Sequence, residues 1–294
     1  MPRARKLRKG ASDMRIVVCV KAVPSTTEVK MDPKTHTIVR DGRAAVVNPF
    51  DASALELAFQ LREALTAETT DANADTGAST DGRDRRSDCE IAVLSMGIPD
   101  TARLLRDCIA RGADRALLLS DRAFAGADTL ATAYALTCGI KLLGGADLVL
   151  CGKMAVDGDT AQIGPELAGA LDMPCVTDVR EVADAAADRL QLWHGCDAGT
   201  ELVEVGYPAV LTVAKEAAQL RMPSIAGVRA AESADVMVAT ADEASADPAR
   251  IGLAGSPTQV VRSFVPERSA AGVAIEGTAV EQATQLVALM GEML

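Results

Sequence analysis

Aromatic residues are scarce in this 294-residue chain, at 2% of the sequence, and histidine occurs only twice. A core that lacks aromatic rings must be built from Ala, Val, Leu and Ile. Few rings also leave little material for stacking on nucleic-acid bases, and the formal net charge of −11 repels phosphate backbones. Nucleic acid is therefore not an expected partner. The acidic balance does not exclude one nucleotide that is held locally by backbone amides.

Protein-built metal sites, nucleophilic catalysis and membrane spans also lack their usual residues. His36 and His194 have no ligand spacing and lie beside no Ser or Cys motif, so we expect neither a metal site nor a catalytic residue. No run of about 18 apolar residues is present, and no membrane span is expected. Seven cysteines without a Cys-x-x-Cys pair, and no secretory signal, indicate a reducing cytoplasm. They are Cys19, Cys89, Cys108, Cys138, Cys151, Cys175 and Cys196.

Both common phosphate-binding motifs are absent, since the chain contains no Gly-Lys-Ser/Thr and no Gly-x-Gly-x-x-Gly after a strand. The most informative segment instead runs from an apolar strand, residues 148–151, through a polar loop into a helix with Pro165 in its first turn. A strand, a glycine-bearing loop and a helix start can direct backbone N–H groups at a phosphate. The alternative is an ordinary connection in which Thr160 caps the helix.

Continuous apolar strands that alternate with helices predict an α/β fold with a doubly wound, mostly parallel sheet. Three strand ends, at residues 19–21, 95–97 and 152 onward, should meet at the ligand-binding edge of that sheet. Asp51 is predicted to cap the first helix. The predicted strands are 15–21, 90–96, 115–120, 148–151, 175–179 and 209–213, and the predicted helices are 52–65, 99–110, 127–143, 166–171 and 277–294.

The domain organisation is predicted from composition. Residues 1–13 form a basic, disordered extension, and residues 14–228 form the α/β domain. Within it, residues 27–40 predict a hairpin-like excursion, and the low-complexity residues 66–88 predict a mobile loop. Residues 229–294 predict a C-terminal arm, extended over 255–266, followed by an amphipathic helix with Val280, Ala283, Leu286, Val287 and Met290 on one face.

In order along the chain, several short motifs resemble the beta (small) subunit of electron transfer flavoproteins over residues 14–294. The motifs are Val20-Lys21-x-Val-Pro24, Asn48-Pro49-x-Asp51-x-x-Ala54-Leu-Glu56, Ser95-Met96-Gly97, Arg111-Gly112, Phe124-Ala-Gly126-Ala-Asp128-Thr129, residues 152–165 and Gly255-Ser-Pro-Thr-Gln259.

The resemblance implies a heterodimer with a larger alpha subunit, which carries an electron-transferring FAD and which residues 229–294 contact. The small subunit is an adenine-nucleotide-binding fold that holds a second nucleotide, either structural AMP or a second FAD in an electron-bifurcating complex. By position, the implied cofactor-binding residues are Cys19, Asn48, Pro49, Phe50, Asp51, Met96, Gly152, Lys153, Met154, Ala155, Val156, Asp157, Gly158, Asp159, Thr160, Ala161, Gln162 and Ile163.

The loop residues suggest particular roles. Thr160 and Gln162 can add side-chain donors, whereas Asp157 or Asp159 suits a ribose hydroxyl or the adenine amine better than a phosphate. Lys153 either offsets phosphate charge or is simply solvated. The residue types at positions 26–33 and 157–162 resemble those of the electron-bifurcating branch of the family. This similarity favours FAD over AMP as the second nucleotide. A standalone adenine-nucleotide sensor of the universal-stress-protein type is the alternative, although the extended arm favours a subunit.

Two positions depart from the family pattern. Met154 stands where Gln is usual, which removes a hydrogen-bonding side chain. Ala217 stands where a Leu usually docks acyl-CoA dehydrogenases, and alanine offers little anchoring area. The departure at Ala217 therefore favours a different flavin dehydrogenase as the redox partner. Separately, the resemblance implies that a bifurcating complex would take its electrons from NADH.

Overall fold

The computed structural model describes residues 14–25, 45–74, 89–261, 272 and 274–291. They belong to two compact units, Met1–Gln259 and Val260–Leu294. The predicted basic extension, the interior of the predicted hairpin-like excursion and residues 75–88 of the predicted mobile loop lie outside the described residues.

A nine-stranded sheet organises the first unit, and its strand order is β11-β5-β4-β1-β6-β10-β7-β8-β9. The strands from β11 to β7 in that order are parallel, whereas β8 and β9 are antiparallel additions at one edge. The strands are β1 (Met14–Cys19), β4 (Cys89–Met96), β5 (Arg115–Leu119), β6 (Leu148–Gly152), β7 (Cys175–Ala185), β8 (Arg189–Cys196), β9 (Gly199–Gly206), β10 (Ala209–Val213) and β11 (Met237–Ala239), with β2 (Ala22–Pro24) and β3 (Ala45–Val47) as a separate antiparallel pair.

Helices cover both faces of the sheet, which confirms the predicted doubly wound α/β fold. Alternate residues of β1 enter two different cores, Ile16 and Val18 on one face and Val17 and Cys19 on the other. Apart from a few aromatic side chains, of which Phe59 is fully buried, these cores are aliphatic. The helices of this unit are α1 (Pro49–Ala74), α2 (Thr101–Arg111), α3 (Thr129–Leu142), α4 (Ile163–Leu171) and α5 (Ile225–Glu232).

Helix α1 starts earlier and ends later than the pattern predicts. Pro49 occupies its first turn, where the missing N–H has no cost, so the helix begins there and not after Asp51. Asp51 is consequently not its cap. At the other end, α1 continues to Ala74, so residues 66–74 of the predicted loop are helical. Residues 66–74 have few apolar side chains, so hydrophobic periodicity does not indicate that they continue the helix.

The antiparallel strands β8 and β9 are absent from the sequence prediction, and β7 is six residues longer than predicted. Leu190 and Leu192 are buried at alternate positions of β8, a period-two pattern that signals a half-buried strand. Only two buried leucines carry the pattern, with Arg189 and Gln191 before and between them, so it is too short to stand out in the sequence.

The boundary of the first unit falls after Gln259 and not after residue 228. Strand β11 pairs with β5, and Ala239, Ala241, Ala244 and Ile251 are buried in the same core as α3. Residues 251–256 form turns, with Gly255 N–H donating to Ile251 O and Ser256 N–H to Leu253 O. The start of the predicted extended arm is therefore folded.

The second unit contains helix α6 (Ala279–Gly291), within the predicted C-terminal helix. Thr278 and Glu281 cap its start, because the Glu281 carboxylate accepts from both the backbone N–H and the hydroxyl of Thr278. Apolar side chains of this helix are exposed, among them Val280, Leu286, Val287 and Met290.

No helix within the described residues is both long and apolar enough to cross a membrane. Over the same residues, no group of three His, Cys, Asp or Glu side chains could hold a metal ion. All seven cysteines are free thiols, and five of them are buried, as their positions in apolar runs predict.

Candidate functional site

The carboxyl ends of β1, β4 and β6 lie side by side in the sheet. Cys19 pairs in register with Leu94, and Val18 pairs with Leu150, so the segments that follow these strands emerge together. The chain proceeds from β1 to β4 on one side, while β6 lies on the other. A change of strand order of this kind opens a crevice at the end of a parallel sheet.

Asp51 ties two of these strand ends together from the first turn of α1. Its Oδ2 accepts from Lys21 N–H at 2.8 Å, and its Oδ1 accepts from Gly152 N–H at 2.8 Å. The carboxylate is buried, and burial raises its pKa to about 6 although the two backbone hydrogen bonds oppose the shift. Gly152 must be glycine, because an added Cβ would overlap Phe50 Cβ and the backbone of Asp51.

Asn48 braces the next part of the same loop and is fully buried. Its Nδ2 donates to Met154 O at 2.9 Å, and its Oδ1 accepts from Val156 N–H at 3.2 Å. Both ends of the amide are thus used on the main chain of the loop. The side chains of Asn48 and Asp51 shape the loop after β6. Any contact between residues 48–51 and a ligand would be in addition to these hydrogen bonds.

The loop itself folds into a turn followed by two left-handed residues. Gly158 and Asp159 both donate from their N–H groups to Ala155 O, at 3.1 and 2.8 Å. Asp159 has φ of 53° and Ala161 has φ of 54°. Residues that alternate between right- and left-handed conformations bring successive N–H groups onto one concave surface, which suits an anion.

Four backbone N–H groups remain available at the start of α4, those of Thr160, Ala161, Gln162 and Ile163. Among the described residues they donate to no acceptor. Gln162 occupies the N-cap position but makes no capping hydrogen bond with its side chain, and Thr160 is not the cap. These four N–H groups form what we call the amide cradle. The amide cradle and the positive end of the α4 dipole together fit a phosphate.

Lys21 is a residue of this site that the sequence pattern did not single out. Its Nζ lies 2.6 Å from Asp157 Oδ1, so the ammonium group lies over the loop. The motif Val20-Lys21 follows a buried strand, and a cation at a predicted strand end was the signal that could have identified it. Asp157 is largely buried in this pair, which leaves Asp159 as the more exposed of the two loop carboxylates.

Lys153 is engaged on the opposite side of the loop. Its Nζ lies 3.3 Å from Asp178 Oδ1, and Arg180 contacts the other oxygen of the same carboxylate at 3.2 Å. These residues line a cleft of about 430 Å³ with Gly195, Cys196 and other residues near the ends of β6, β7, β8 and β10. Ala161 of the loop also lines this cleft. Lys153 is therefore ion-paired with Asp178 at the edge of the candidate site, and its role towards a phosphate stays a prediction.

The remaining predicted site residues divide between core and surface. Cys19 is buried among apolar side chains, and burial raises its pKa to about 12, so the thiol stays protonated. Met96 packs partly against the same core. Contacts from Cys19 to a ligand would therefore come from its main chain. Val156 is half exposed, while Pro49 and Phe50 lie in the first turn of α1.

Thr129 and Glu166 also border the loop and were not predicted as site residues. Thr129 Oγ1 lies 3.0 Å from Glu166 Oε1 and 3.2 Å from Gln162 Oε1. Burial, with a smaller contribution from the charge of Asp128, raises the pKa of Glu166, and its Oε2 is buried with no partner among the described residues. Thr129 ends the motif of residues 124–129, which was the signal that could have identified it, but the contact with Glu166 joins two helices and cannot be read from the motif.

Comparison with known proteins identifies the family. The model of the electron transfer flavoprotein domain matches residues 69–244. The chain is 42% identical over 95% of its length to caffeyl-CoA reductase-Etf complex subunit CarD of Acetobacterium woodii, of which the match covers 98%. It is 41% identical over 93% of its length to an electron transfer flavoprotein subunit beta of Thermoanaerobacterium thermosaccharolyticum, covering 96% of that protein.

A second group of relatives carries another name. Protein FixA of Azorhizobium caulinodans is 36% identical over 87% of this chain, and the match covers 86% of FixA. The similarity to all three proteins thus spans most of each partner in the comparison.

Proposed function

The chain belongs to the electron transfer flavoprotein beta-subunit family, and from that premise we propose that it holds a nucleotide at the loop of residues 152–163 within an electron-transferring heterodimer. The alpha subunit of that heterodimer is the implied partner. Electrons would arrive from a dehydrogenase or from NADH and leave through flavin. Bound flavin supplies the redox chemistry, whereas this chain supplies binding and placement.

The observation that carries the proposal is the set of free amides at residues 160–163 beside two left-handed residues. Backbone N–H groups bind phosphate oxygens without adding a cation, which suits a chain with a strongly acidic balance. The braces from Asn48 and Asp51 hold the loop in shape before any ligand arrives. Preorganisation of this kind lowers the entropy cost of binding.

We propose FAD, more than AMP, as the nucleotide of this site. Residues 157–162 of the loop favour FAD, because their residue types resemble those of the bifurcating branch of the family. Asp157 and Gly158 are among them. The name of one relative associates it with a reductase–Etf complex. The adenosine part would occupy the same crevice in either case, so the loop alone does not distinguish the two nucleotides.

The alpha subunit is proposed to contact residues 260–294. Val280, Leu286, Val287 and Met290 form an exposed apolar face on α6. A contiguous apolar face that is exposed on one chain is typical of a surface that another chain covers. This face is the feature that favours a subunit over a standalone nucleotide sensor.

Docking of a redox partner through Ala217 has little structural support. Ala217 is partly buried and packs against the core on the α1 side, whereas the nearby Met222 is 83% exposed. We propose that the partner is not the usual acyl-CoA dehydrogenase.

The test is to co-purify the chain with its alpha subunit and to quantify released nucleotides by chromatography. Two FAD per heterodimer are expected. One FAD with one AMP would support the site but contradict the choice of FAD, and a complex with neither AMP nor a second FAD would overturn the site. Full nucleotide content in the chain purified without any partner would favour the standalone sensor.

A pair of matched variants locates the nucleotide. Asp159 and Asp172 are both exposed and left-handed, with φ of 53° and 55°, but Asp172 lies at the far end of α4. Leucine at either position therefore introduces similar backbone strain. Asp159→Leu should lower the nucleotide content of the heterodimer, while Asp172→Leu should leave it unchanged. Equal content in both variants would place the nucleotide elsewhere.

A further inference from the structure

A short chain of hydrogen bonds joins the start of α3 to the start of α4, directly beside the loop of residues 152–163. Thr129 is the first residue of α3, and its hydroxyl lies within hydrogen-bonding distance of Gln162 Oε1 and Glu166 Oε1. Gln162 is the N-cap residue of α4, and Glu166 lies in its first turn. The hydroxyl therefore holds two side chains of the turn whose backbone amides are free.

Asp128, the residue before Thr129, is held in place by several hydrogen bonds. Asp128 caps α3 by accepting from Ala131 N–H at 3.0 Å through Oδ1. Its Oδ2 accepts from both the backbone N–H and the hydroxyl of Thr258, at 3.1 and 2.8 Å. Its own N–H donates to Ser256 Oγ at 2.8 Å. Since each hydrogen-bonding group of Asp128 is engaged, the neighbouring Thr129 has a well-defined position.

The chemistry of a hydroxyl limits what Thr129 can do. It has one proton and two lone pairs, so it can bridge two side chains only when one of them donates to it. Either a protonated Glu166 donates and Gln162 accepts, or Gln162 turns its NH₂ group towards Thr129 and Glu166 accepts. In both arrangements one end of the Gln162 amide is held, and the other end remains for a ligand. Gln162 is itself exposed.

We propose that Thr129 is a positioning residue for nucleotide binding, whose hydroxyl fixes the Gln162 side chain and the first turn of α4 at the amide cradle. The inference rests on the proposed function of the loop and adds a residue from outside it. Without the hydroxyl, Gln162 loses its restraint and the first turn of α4 loses its link to α3. A ligand would then have to order both groups when it binds, which weakens binding.

The experiment measures the affinity of the nucleotide-depleted heterodimer for AMP and for FAD by calorimetry, together with the nucleotide dissociation rate. Thr129→Val removes the hydroxyl and keeps the shape of the side chain. We expect about a tenfold weaker affinity, the size of one lost hydrogen bond. Thr129→Ala removes the same hydroxyl with a residue that favours helices, and it should give the same loss if the valine variant folds poorly.

Two controls separate positioning from general damage. Thr129→Ser restores a hydroxyl and should return the affinity to within about twofold of the original chain. Thr132→Val makes the same change three residues further along α3, where the threonine hydroxyl makes no hydrogen bond to α4 among the described residues, and it should bind normally. Unchanged affinity in Thr129→Val and Thr129→Ala, or failure of Thr129→Ser to restore it, would overturn the inference.

The same measurement distinguishes this inference from the proposed function. If the unaltered heterodimer binds neither AMP nor FAD, the nucleotide site itself is wrong. If it binds either one and the hydroxyl-free variants bind it equally well, the site stands and the role of Thr129 is wrong.

Discussion

Three aspartates near the candidate site show how one residue type serves three purposes. Asp51 is buried and holds two strand ends, Asp157 pairs with Lys21, and Asp159 supplies a left-handed backbone conformation. The sequence pattern assigned Asp51 to a helix cap and grouped the other two as ligand acceptors. A pattern of short polar residues predicts a turn or a cap, but the partner of each carboxylate depends on contacts between distant segments.

We expect Asp51→Asn to destabilise the first unit, because the change alters the brace between β1 and β6. A carboxylate accepts at both oxygens, whereas the amide presents one oxygen and one NH₂ group to two backbone N–H donors. Loss of one hydrogen bond to a charged group, with two donors facing each other, should cost about 2–3 kcal/mol of unfolding free energy at pH 7.5. Urea denaturation of both chains measures the difference.

The pH dependence of that difference has a definite sign. Burial raises the pKa of Asp51 from 3.8 to about 6 in the folded chain, so the folded state binds the proton more tightly than the unfolded state. The unaltered chain therefore gains stability from this residue as the pH falls from about 6 towards 4, and loses it as the pH rises. The gap between the two chains should widen at pH 4.5 relative to pH 7.5. Parallel stability profiles would contradict the assigned burial of Asp51.

At the scale of elements, the regular parts of the fold follow from the sequence and the additions do not. The buried parallel strands are short, continuous apolar runs bounded by glycine or polar residues, and the strands predicted near β1, β4, β5, β6 and β10 match them closely. Strands β8 and β9 bury side chains on only one face and carry many polar residues, so the hydrophobic pattern that would predict them is weak. Helix α1 extends over a segment that composition alone assigned to a loop.

The position of the candidate site was predicted, but several of its side chains were not. The meeting of three strand ends follows from the order of parallel strands, and the loop of residues 152–163 lies at that edge as expected. Lys21, Thr129 and Glu166 were missed because their relevance depends on side chains that reach across from other elements. Lys153 lies in the predicted loop but pairs with Asp178, a residue of the longer β7.

The segment after β10 provides a prediction for this scale, because Arg221 fastens it to α1. The guanidinium group contacts both oxygens of the buried Glu56, reaches Glu63 at 2.7 Å, and lies 4.9 Å from the centroid of the Phe59 ring. Arg221→Lys keeps the charge but loses the planar fork and the stacking. We expect a loss of about 2 kcal/mol in unfolding free energy.

Arg229→Lys is the matched control, since Arg229 is exposed on α5 a short distance along the chain. It should change stability by less than about 0.5 kcal/mol. A double-mutant cycle with Glu56→Gln then isolates the contact itself. Equal effects of Arg221→Lys and Arg229→Lys would show that the segment after β10 does not depend on this contact.

At the scale of the whole molecule, the chain divides after Gln259, although composition placed the change near residue 228. The acidic, alanine-rich segment after residue 229 has a weak hydrophobic signal, yet β11 completes one edge of the sheet and Ile251 is buried in its core. Small apolar residues such as Ala241 and Ala244 are buried in the same core as α3 but contribute little to a hydropathy pattern. Their burial is a property of the tertiary structure.

Two shortened chains test this division. A chain that ends at Gln259 retains β11, the buried residues after it and the Thr258 contacts to Asp128, so it should fold with a melting temperature within about 3 °C of the full chain. A chain that ends at residue 228 loses the second half of α5 and the edge strand β11, and it exposes part of the core around α3. It should lose roughly 3–5 kcal/mol of stability, which corresponds to a drop of more than about 6 °C.

The same two chains also test the proposed role of residues 260–294 in assembly, because folding and partner binding are measured separately. Calorimetry reports the melting temperature, and co-purification with the alpha subunit reports assembly. The chain that ends at Gln259 should fold and yet assemble poorly, since it lacks the exposed apolar face of α6. Full assembly without residues 260–294 would transfer the alpha-subunit contact to the first unit. A large loss of stability on removing only these residues would instead show that the first unit needs them to fold.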